Sequence, residues 1–536
     1  MIKNKFRNDE KGVYRLKKND EEEKISDYME INTLTYNIDS EEFKADIEFN
    51  ALGFRKLITL SRSEYLNNNN LLTLQDIGMD VTHENSKELV SYLKEQENMK
   101  KSCIKNVHSK LEFSNYNGKV IYKLRKCIGC ESNYIGEYSI GEQGSRDIYI
   151  EMLKQEVIGR CEAELGICMG LSAVLIAYIG NDLGLGTVIF HIAGNSTTGK
   201  STILKLAISP FGSPNQKDGG LFGSYNGTDN ALLAKLRNLI GVPYALDEIS
   251  MFKEQNYTKF VYSINNGVDK ERLNKNCEFK ERGKWLTTVI SNGERSLVAS
   301  CNKNAGIWAR VIEFNNVKWT KDAKNAEVIN RTISENYGHL GLEFAEYIMG
   351  LNKEKLIKYF DDVKEDIYLT IEKRLGVDNM TNRVCNSYAI ILLTALLFQD
   401  MLQLELGDDL ELDIDGINNL IVDSEKESLQ QRNFKICTIE YIKQYVSRYR
   451  SKFEDEDNIP FDNMGKIIIK DNKTEVQMNK ISFEKMIKEG GFEDKNIVLR
   501  DLKDAGYLNC EKDRYTRKRK NKFNSVEDVY VIRISD

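Results

Sequence analysis

A glycine, four residues and then Gly-Lys-Ser stand at Gly194, Gly199, Lys200 and Ser201, inside the stretch HIAGNSTTGKST. That spacing suits a phosphate cradle, because glycines let backbone N–H groups wrap phosphate oxygens at a helix N-terminus, where the helix dipole favours anions. In such a cradle Lys200 reaches the β- and γ-phosphates of a nucleotide and Ser201 ligands Mg²⁺. The residues expected to hold ATP are Gly194, Asn195, Ser196, Thr197, Thr198, Gly199, Lys200, Ser201 and Thr202. Their flanks agree: TVIFHIA before them reads as a buried strand and TILKLAI after them as a helix.

Three further sites could complete a hydrolytic centre. Forty-seven residues after Lys200, the apolar run LIGVPYALDEIS ends in Asp247-Glu248. A strand there, lying beside the phosphate-loop strand, would bring Asp247 to Mg²⁺ through water and Glu248 to the attacking water. A third strand, KWLTTVISNGE, ends in Ser291-Asn292, and Asn292 at its tip could sense the γ-phosphate. Eighteen residues on, Arg310 precedes another apolar strand and is expected to act as an arginine finger in a neighbouring subunit's site.

Around these positions the chain must supply elements that hold them. The rhythm from about residue 150 to 345 is helix, strand, helix, strand, which argues for a parallel sheet. The apolar run of about sixteen residues from Leu165 to Gly180 falls short of the roughly twenty that cross a bilayer, so it reads as a buried helix. Before this core, Leu34, Tyr36 and Ile38 alternate, as do Phe43, Ala45, Ile47 and Phe49 after a short turn, which predicts a hairpin with one buried face. After it come long helices, and the last hundred residues read as two helices followed by two strands, the order of a winged helix.

With 536 residues, 41% hydrophobic and 29% charged, the chain has room for several domains. A net charge of −6 excludes a uniformly basic nucleic-acid binder but not a local basic patch. Ten cysteines without a repeated pairing pattern fit a reducing cytosol, and the N-terminal stretch has no apolar core of a signal peptide. Cys127 and Cys130 form a single C-x-x-C, half of what a structural zinc needs. The stretch ELDIDGINNLIV starts like a calcium loop, yet its twelfth position is Val422 where a bidentate glutamate belongs. His191, inside the strand before the loop, is expected to be a satisfied buried residue.

The order of phosphate loop, Asp-Glu strand, Asn-tipped strand and arginine resembles the AAA+ superfamily. More narrowly, HIAGNSTTGKST, NGTDNALLAKLRNLIGVPYALDEIS, INNGVDKERLN, WLTTVISNGERSL and ENYGHLGLEF resemble the domain-of-unknown-function 927 family over roughly residues 150–350. That family includes the Cch replicative helicases of staphylococcal cassette elements, which are similar to MCM and superfamily 3 helicases. The resemblance implies an α/β chain with an AAA+ P-loop core. Its layout is a strand-rich N-terminal domain (1–148), the ATPase core (149–345), a helical region (346–430) and a winged-helix-like C-terminal domain (431–536). It also implies a ring, read as a hexamer, that unwinds DNA in a mobile element or phage using ATP and Mg²⁺. A regulatory or defence ATPase that remodels protein without unwinding shares every ATPase residue and is the alternative; an initiator that melts DNA without translocating is a third.

Two stretches could touch DNA. In MCM-like and superfamily 3 helicases a hairpin in the position of residues 265–284 grips one strand, which here would use Lys270, Arg272 and Lys275, diluted by Asp269 and Glu271. The tail EKDRYTRKRKNK carries seven cations against two acids, among them Arg514, Arg517, Lys518, Arg519 and Lys520, where a basic wing would meet DNA phosphates.

Overall fold

Continuous apolar runs build the centre of the chain, as a sheet buried on both faces requires. In the computed structural model these runs form five parallel strands: β1 (Val188–Ala193), β2 (Phe222–Ser224), β3 (Tyr244–Asp247), β4 (Thr288–Gly293) and β5 (Val311–Asn315). Their order is β2-β3-β4-β1-β5. The structure describes residues 5–17, 21–216, 219–252, 257–273, 279, 282–301, 305–407, 410–432, 434–454, 460–470, 473–492, 494–511, 514–520 and 525–534.

This order corrects one expectation. The Asp-Glu strand β3 does not lie beside the phosphate-loop strand β1; the Asn-tipped strand β4 lies between them. Pairing of parallel strands is set by long crossovers, which the local spacing of the motifs does not encode.

Two helices fix the end of β1 from which the loop springs. Helix α1 (Cys161–Leu183) extends the sixteen-residue apolar run to twenty-three residues, and 94% of its most apolar stretch is buried. Helix α2 (Lys200–Ile208) follows the loop and packs directly on α1. Gly170 permits this approach, since a Cβ there would stand 1.7 Å from the Ala207 carbonyl oxygen. A long apolar helix, Thr381–Leu406, also packs against α1, and its Tyr388 OH donates to Glu425 at 3.2 Å, which ties Ile414–Arg432 into the same helical layer.

The chain divides into two compact units, one ending at Tyr138 and one beginning at Ser139. Residues 139–148, expected in the N-terminal domain, belong to the second unit: Gly141 N–H donates to the Phe211 carbonyl and Gln143 N–H to that of Tyr337.

The first unit has a five-stranded sheet in which Met29–Asn37 and Glu42–Ala51 form the expected antiparallel hairpin. A register shift between Ile31 and Thr33 puts Met29, Ile31 and Leu34 on the buried face. Phe43, expected inward, is instead exposed, while Ala45, Ile47 and Phe49 are buried.

At the C-terminal end, helices Lys480–Glu489 and Lys495–Asp504 are followed by strands Arg517–Lys520 and Val526–Ile534. Asn479 and Asp494 cap the two helices by accepting from Ser482 N–H and Asn496 N–H, each at 2.7 Å. Two strands missing from the sequence reading, Gly465–Lys470 and Lys473–Asn479, complete this sheet with Phe453–Glu454.

Candidate functional site

The glycine loop leaves β1 at Gly194 and enters α2 at Lys200, whose first N–H groups have no preceding carbonyl to bond. Gly194, Thr197 and Gly199 all have positive φ; at Gly199 a Cβ would also stand 2.6 Å from the Thr320 side chain. Thr197 holds φ +70° without being glycine, a conformation that persists only where surrounding structure enforces it. Asn195, Ser196 and Thr197 are exposed on the loop. The Thr198 carbonyl accepts from Trp319 N–H at 2.9 Å, and Thr202 Oγ1 accepts from Asn330 Nδ2 at 2.8 Å. The Lys200 ammonium points into the loop, donating to the carbonyls of Gly194 and Asn195 at 2.8 and 2.6 Å.

Parallel register brings the other groups to the same edge. Ile192 of β1 lies beside Asn292 of β4, and Leu246 of β3 beside Ser291, so Asp247 falls next to Asn292. Ser201 Oγ donates to Asp247 Oδ1 at 3.0 Å, and Asn292 Nδ2 donates to the same oxygen at 2.8 Å. Asn292 Oδ1 accepts the Glu248 N–H at 2.7 Å. Glu248 sits at φ +60° and accepts from Ser250 N–H at 3.1 Å, which turns its side chain away from the strand direction. Five expected residues, Lys200, Ser201, Asp247, Glu248 and Asn292, therefore converge.

A buried chain of hydrogen bonds supports them. His191 Nε2 lies 2.9 Å from the Arg295 carbonyl, an acceptor only, so Nε2 carries the proton and Nδ1 accepts from Ser291 Oγ at 2.8 Å. Ser291 Oγ in turn accepts from Tyr225 OH at 2.7 Å. Burial holds the His191 pKa below its usual value. His191 is thus a satisfied core residue, and it locks β4 to β1 just below Asn292. Sequence reasoning missed Glu294, which follows the tip of β4 and accepts from Ser196 Oγ of the loop at 2.5 Å.

Arg310 does not join this cluster. It precedes β5, whose Val311 pairs with Ile189 at the start of β1, so it sits at the opposite end of the sheet from the cradle. Its guanidinium donates to Asn265 Oδ1 at 3.0 Å and to the Gly306 carbonyl at 2.6 Å, and lies 4.4 Å from the Tyr262 ring centroid. Burial, with Arg383 nearby, lowers its pKa.

The expected DNA contacts divide. Among the described residues of 268–284, antiparallel bridges at Val268–Lys284 and Leu273–Phe279 pair the two arms of the expected hairpin. Lys270 is engaged within the fold, donating to Asn230 Oδ1 at 2.8 Å and pairing with Asp229. Arg272 is exposed, and Lys275 lies outside the described residues. In the tail, strand alternation splits the basic run: Lys518 and Lys520 are exposed, whereas Arg517 turns inward to Asn509 Oδ1 at 3.1 Å. Arg519 donates to the Lys518 carbonyl, and Arg514 pairs with Glu511 at 2.8 Å. The helix Lys495–Asp504 was expected from the sequence, but not as a DNA contact; it exposes Asn496, Arg500 and Lys503 at helical spacing.

The pair Cys127 and Cys130 has its sulfurs 3.3 Å apart, and burial with the neighbouring thiol pushes Cys127 up to about 12.

Residues 6–284, more than half of the chain, match the family described as domain of unknown function (DUF927). The chain belongs to the DUF927 family. Its last hundred residues, 437–536, match the Cch helix turn helix domain. The fold, mixed α/β with a parallel sheet and a C-terminal helix-turn-helix domain, is similar to the solved structure of SCCmec type IV Cch, described as an active helicase. That likeness has a TM-score of 0.77 at 24% identity and covers 100% of this chain and 98% of the other. No curated protein matches this chain in sequence. In this DUF927 chain the family match takes in the loop and Asp247-Glu248, while Asn292 and Arg310 lie beyond its end.

Proposed function

We propose that the chain is an AAA+ ATPase acting as a ring-forming DNA helicase of a mobile element or phage, in the cytosol, with six subunits to the ring. The observation that carries this reading is the bracket made by Asn292, which bonds Asp247 through its amide nitrogen and the Glu248 backbone through its oxygen. A polar-tipped strand lying between the phosphate-loop strand and the Asp-Glu strand supports an AAA+ core.

Mg²⁺ and ATP fit the residues present. Ser201 Oγ and Asp247 Oδ1 are adjacent hard oxygen donors of the kind Mg²⁺ prefers, at the foot of a glycine loop and a helix N-terminus. When bound, MgATP supplies the phosphoryl group and neutralises charge that develops on it. Lys200 exchanges the Gly194 and Asn195 carbonyls for phosphate oxygens. Glu248 accepts a proton from the attacking water, and Asn292 holds Asp247 and the Glu248 backbone in fixed relation. Arg310, remote from its own cradle, completes the cradle of the next subunit after releasing Asn265. The helix-turn-helix domain meets duplex DNA through Asn496, Arg500 and Lys503 and through the wing lysines Lys518 and Lys520. The hairpin meets the single strand.

One observation favours the alternative of a regulatory or defence ATPase that remodels protein: Lys270 and Arg282 of the hairpin are paired within the fold, with Asp229 and Glu271. ATP turnover measured with and without forked DNA, alongside strand displacement, separates the two. A helicase shows turnover stimulated by DNA and displaces a strand; turnover indifferent to DNA supports the alternative.

A further inference from the structure

The described arms of the hairpin, 268–273 with 279 and 282–284, carry an apolar pair where the sequence suggested a basic grip. Leu273 and Phe279 face each other across the two arms and are 55% and 75% exposed. Cross-strand partners of this kind share one face of the hairpin, with Cβ atoms about 5 Å apart. Three contacts hold the base of the hairpin. Trp285 Nε1 donates to the Ile264 carbonyl at 2.8 Å, Asp269 N–H donates to the Gly283 carbonyl at 2.9 Å, and Arg237 pairs with Asp269. From Trp285 the chain runs straight into β4, which ends at Asn292.

We propose that Phe279, backed by Leu273, stacks on a base of single-stranded nucleic acid. This rests on DNA being the ligand of the proposed helicase and adds a contact that the cations do not make. An aromatic face flanked by positive charge is how sequence-tolerant single-strand binders hold bases. Lys270 pairs with Asp229, Arg282 with Glu271 and Arg237 with Asp269, so among the described residues Arg272 and Lys284 are the exposed cations that leave the surround positive. Two side chains are too small a patch for a stable protein interface, which buries roughly 800 Å² per partner. A nucleobase needs no more than one ring. Because the hairpin continues into β4, a base held on Phe279 is linked mechanically to the strand that touches Asp247 and Glu248.

The test is equilibrium binding of the full chain to a fluorescent single-stranded oligonucleotide over a range of salt, for the wild type, Phe279→Ala and Phe279→Trp. Phe279 is exposed, so its replacement leaves the fold intact. The expected result is an affinity loss of about 5- to 150-fold in Phe279→Ala. The slope of log affinity against log salt stays unchanged, because stacking releases no counterions. Phe279→Trp retains binding, and an abasic strand binds wild type and Phe279→Ala alike. Equal binding of the normal strand by wild type and Phe279→Ala overturns the stacking role while leaving the helicase reading standing. Loss of self-association in Phe279→Ala with DNA affinity unchanged assigns the pair to a contact between copies and also overturns it. A wild type that binds no single strand overturns the helicase reading as well.

Discussion

Asn292 and Asp247 sit at the ends of neighbouring strands, joined by a hydrogen bond of 2.8 Å from the Asn292 amide to Asp247 Oδ1. The same amide reaches Ser201 Oγ at 3.3 Å, so one side chain spans the first turn of α2 and the acidic strand. If this bracket orients the catalytic groups, Asn292→Ala slows ATP hydrolysis by roughly 10²- to 10³-fold, the cost of losing one oriented donor in such a site. Asn292→Asp loses at least as much, because it sets a second carboxylate beside Asp247. Phosphate release measures the rate, and a fluorescent ATP analogue should show affinity changed only a few-fold in Asn292→Ala.

The tail cations should separate by their strand positions. Lys518→Ala with Lys520→Ala is expected to weaken duplex binding about equally for all sequences and to reduce the salt slope by about 2. Arg517→Ala should instead lower thermal stability, since its guanidinium bonds Asn509 Oδ1 and the Cys510 carbonyl. Binding isotherms at several salt concentrations and a melting curve check both.

Stability between pH 7.5 and 5.5 is expected to depend on two opposed groups. His191 is held neutral by burial, with its pKa below the ordinary 6.5, so the unfolded chain takes up more protons. Its contribution is present above that ordinary value and is lost as pH falls through it. Glu164 is buried, with its pKa pushed up to about 7 by burial, so the folded chain takes up the proton first and gains stability over the same fall. The melting temperature of Glu164→Gln should therefore drop more steeply on acidification than that of the wild type, and that of His191→Leu less steeply.

Arg310 lies at the end of the sheet opposite its own cradle, and the role proposed for it is in a neighbouring subunit's site. Arg310→Ala alone should reduce turnover by about 10³-fold or more. Mixing Arg310→Ala with Lys200→Ala subunits should restore part of it, because some interfaces then combine an intact cradle with an intact arginine. No recovery in mixed rings, with both variants assembling and binding ATP, removes the in-trans role.

Spacing within the chain marked the glycine loop and Asp247-Glu248 as neighbours of a sheet edge, because a glycine loop between a buried strand and a helix is a local pattern. The position of β4 between β1 and β3 was not legible, since parallel pairing joins residues about a hundred positions apart, as with His191 and Ser291. Charge counting suggested one basic wing, but the two-residue period of a strand sends Arg517 inward and Lys518 and Lys520 outward. The same blindness to three-dimensional pairing made Lys270 look available when Asp229 already holds it, and hid Phe279 opposite Leu273. In the first unit, alternation marked the hairpin, but the register shift after Ile31 changed which side chains it buries.

The most direct measurement is strand displacement on forked DNA, followed together with phosphate release, for the wild type and Glu248→Gln. The expected result is ATP-dependent displacement by the wild type with DNA-stimulated turnover. Glu248→Gln should bind ATP normally, hydrolyse it at least about 10²-fold more slowly and displace no strand. Displacement that persists in Glu248→Gln, or wild-type turnover that ignores DNA and separates no strands, would contradict the assignment.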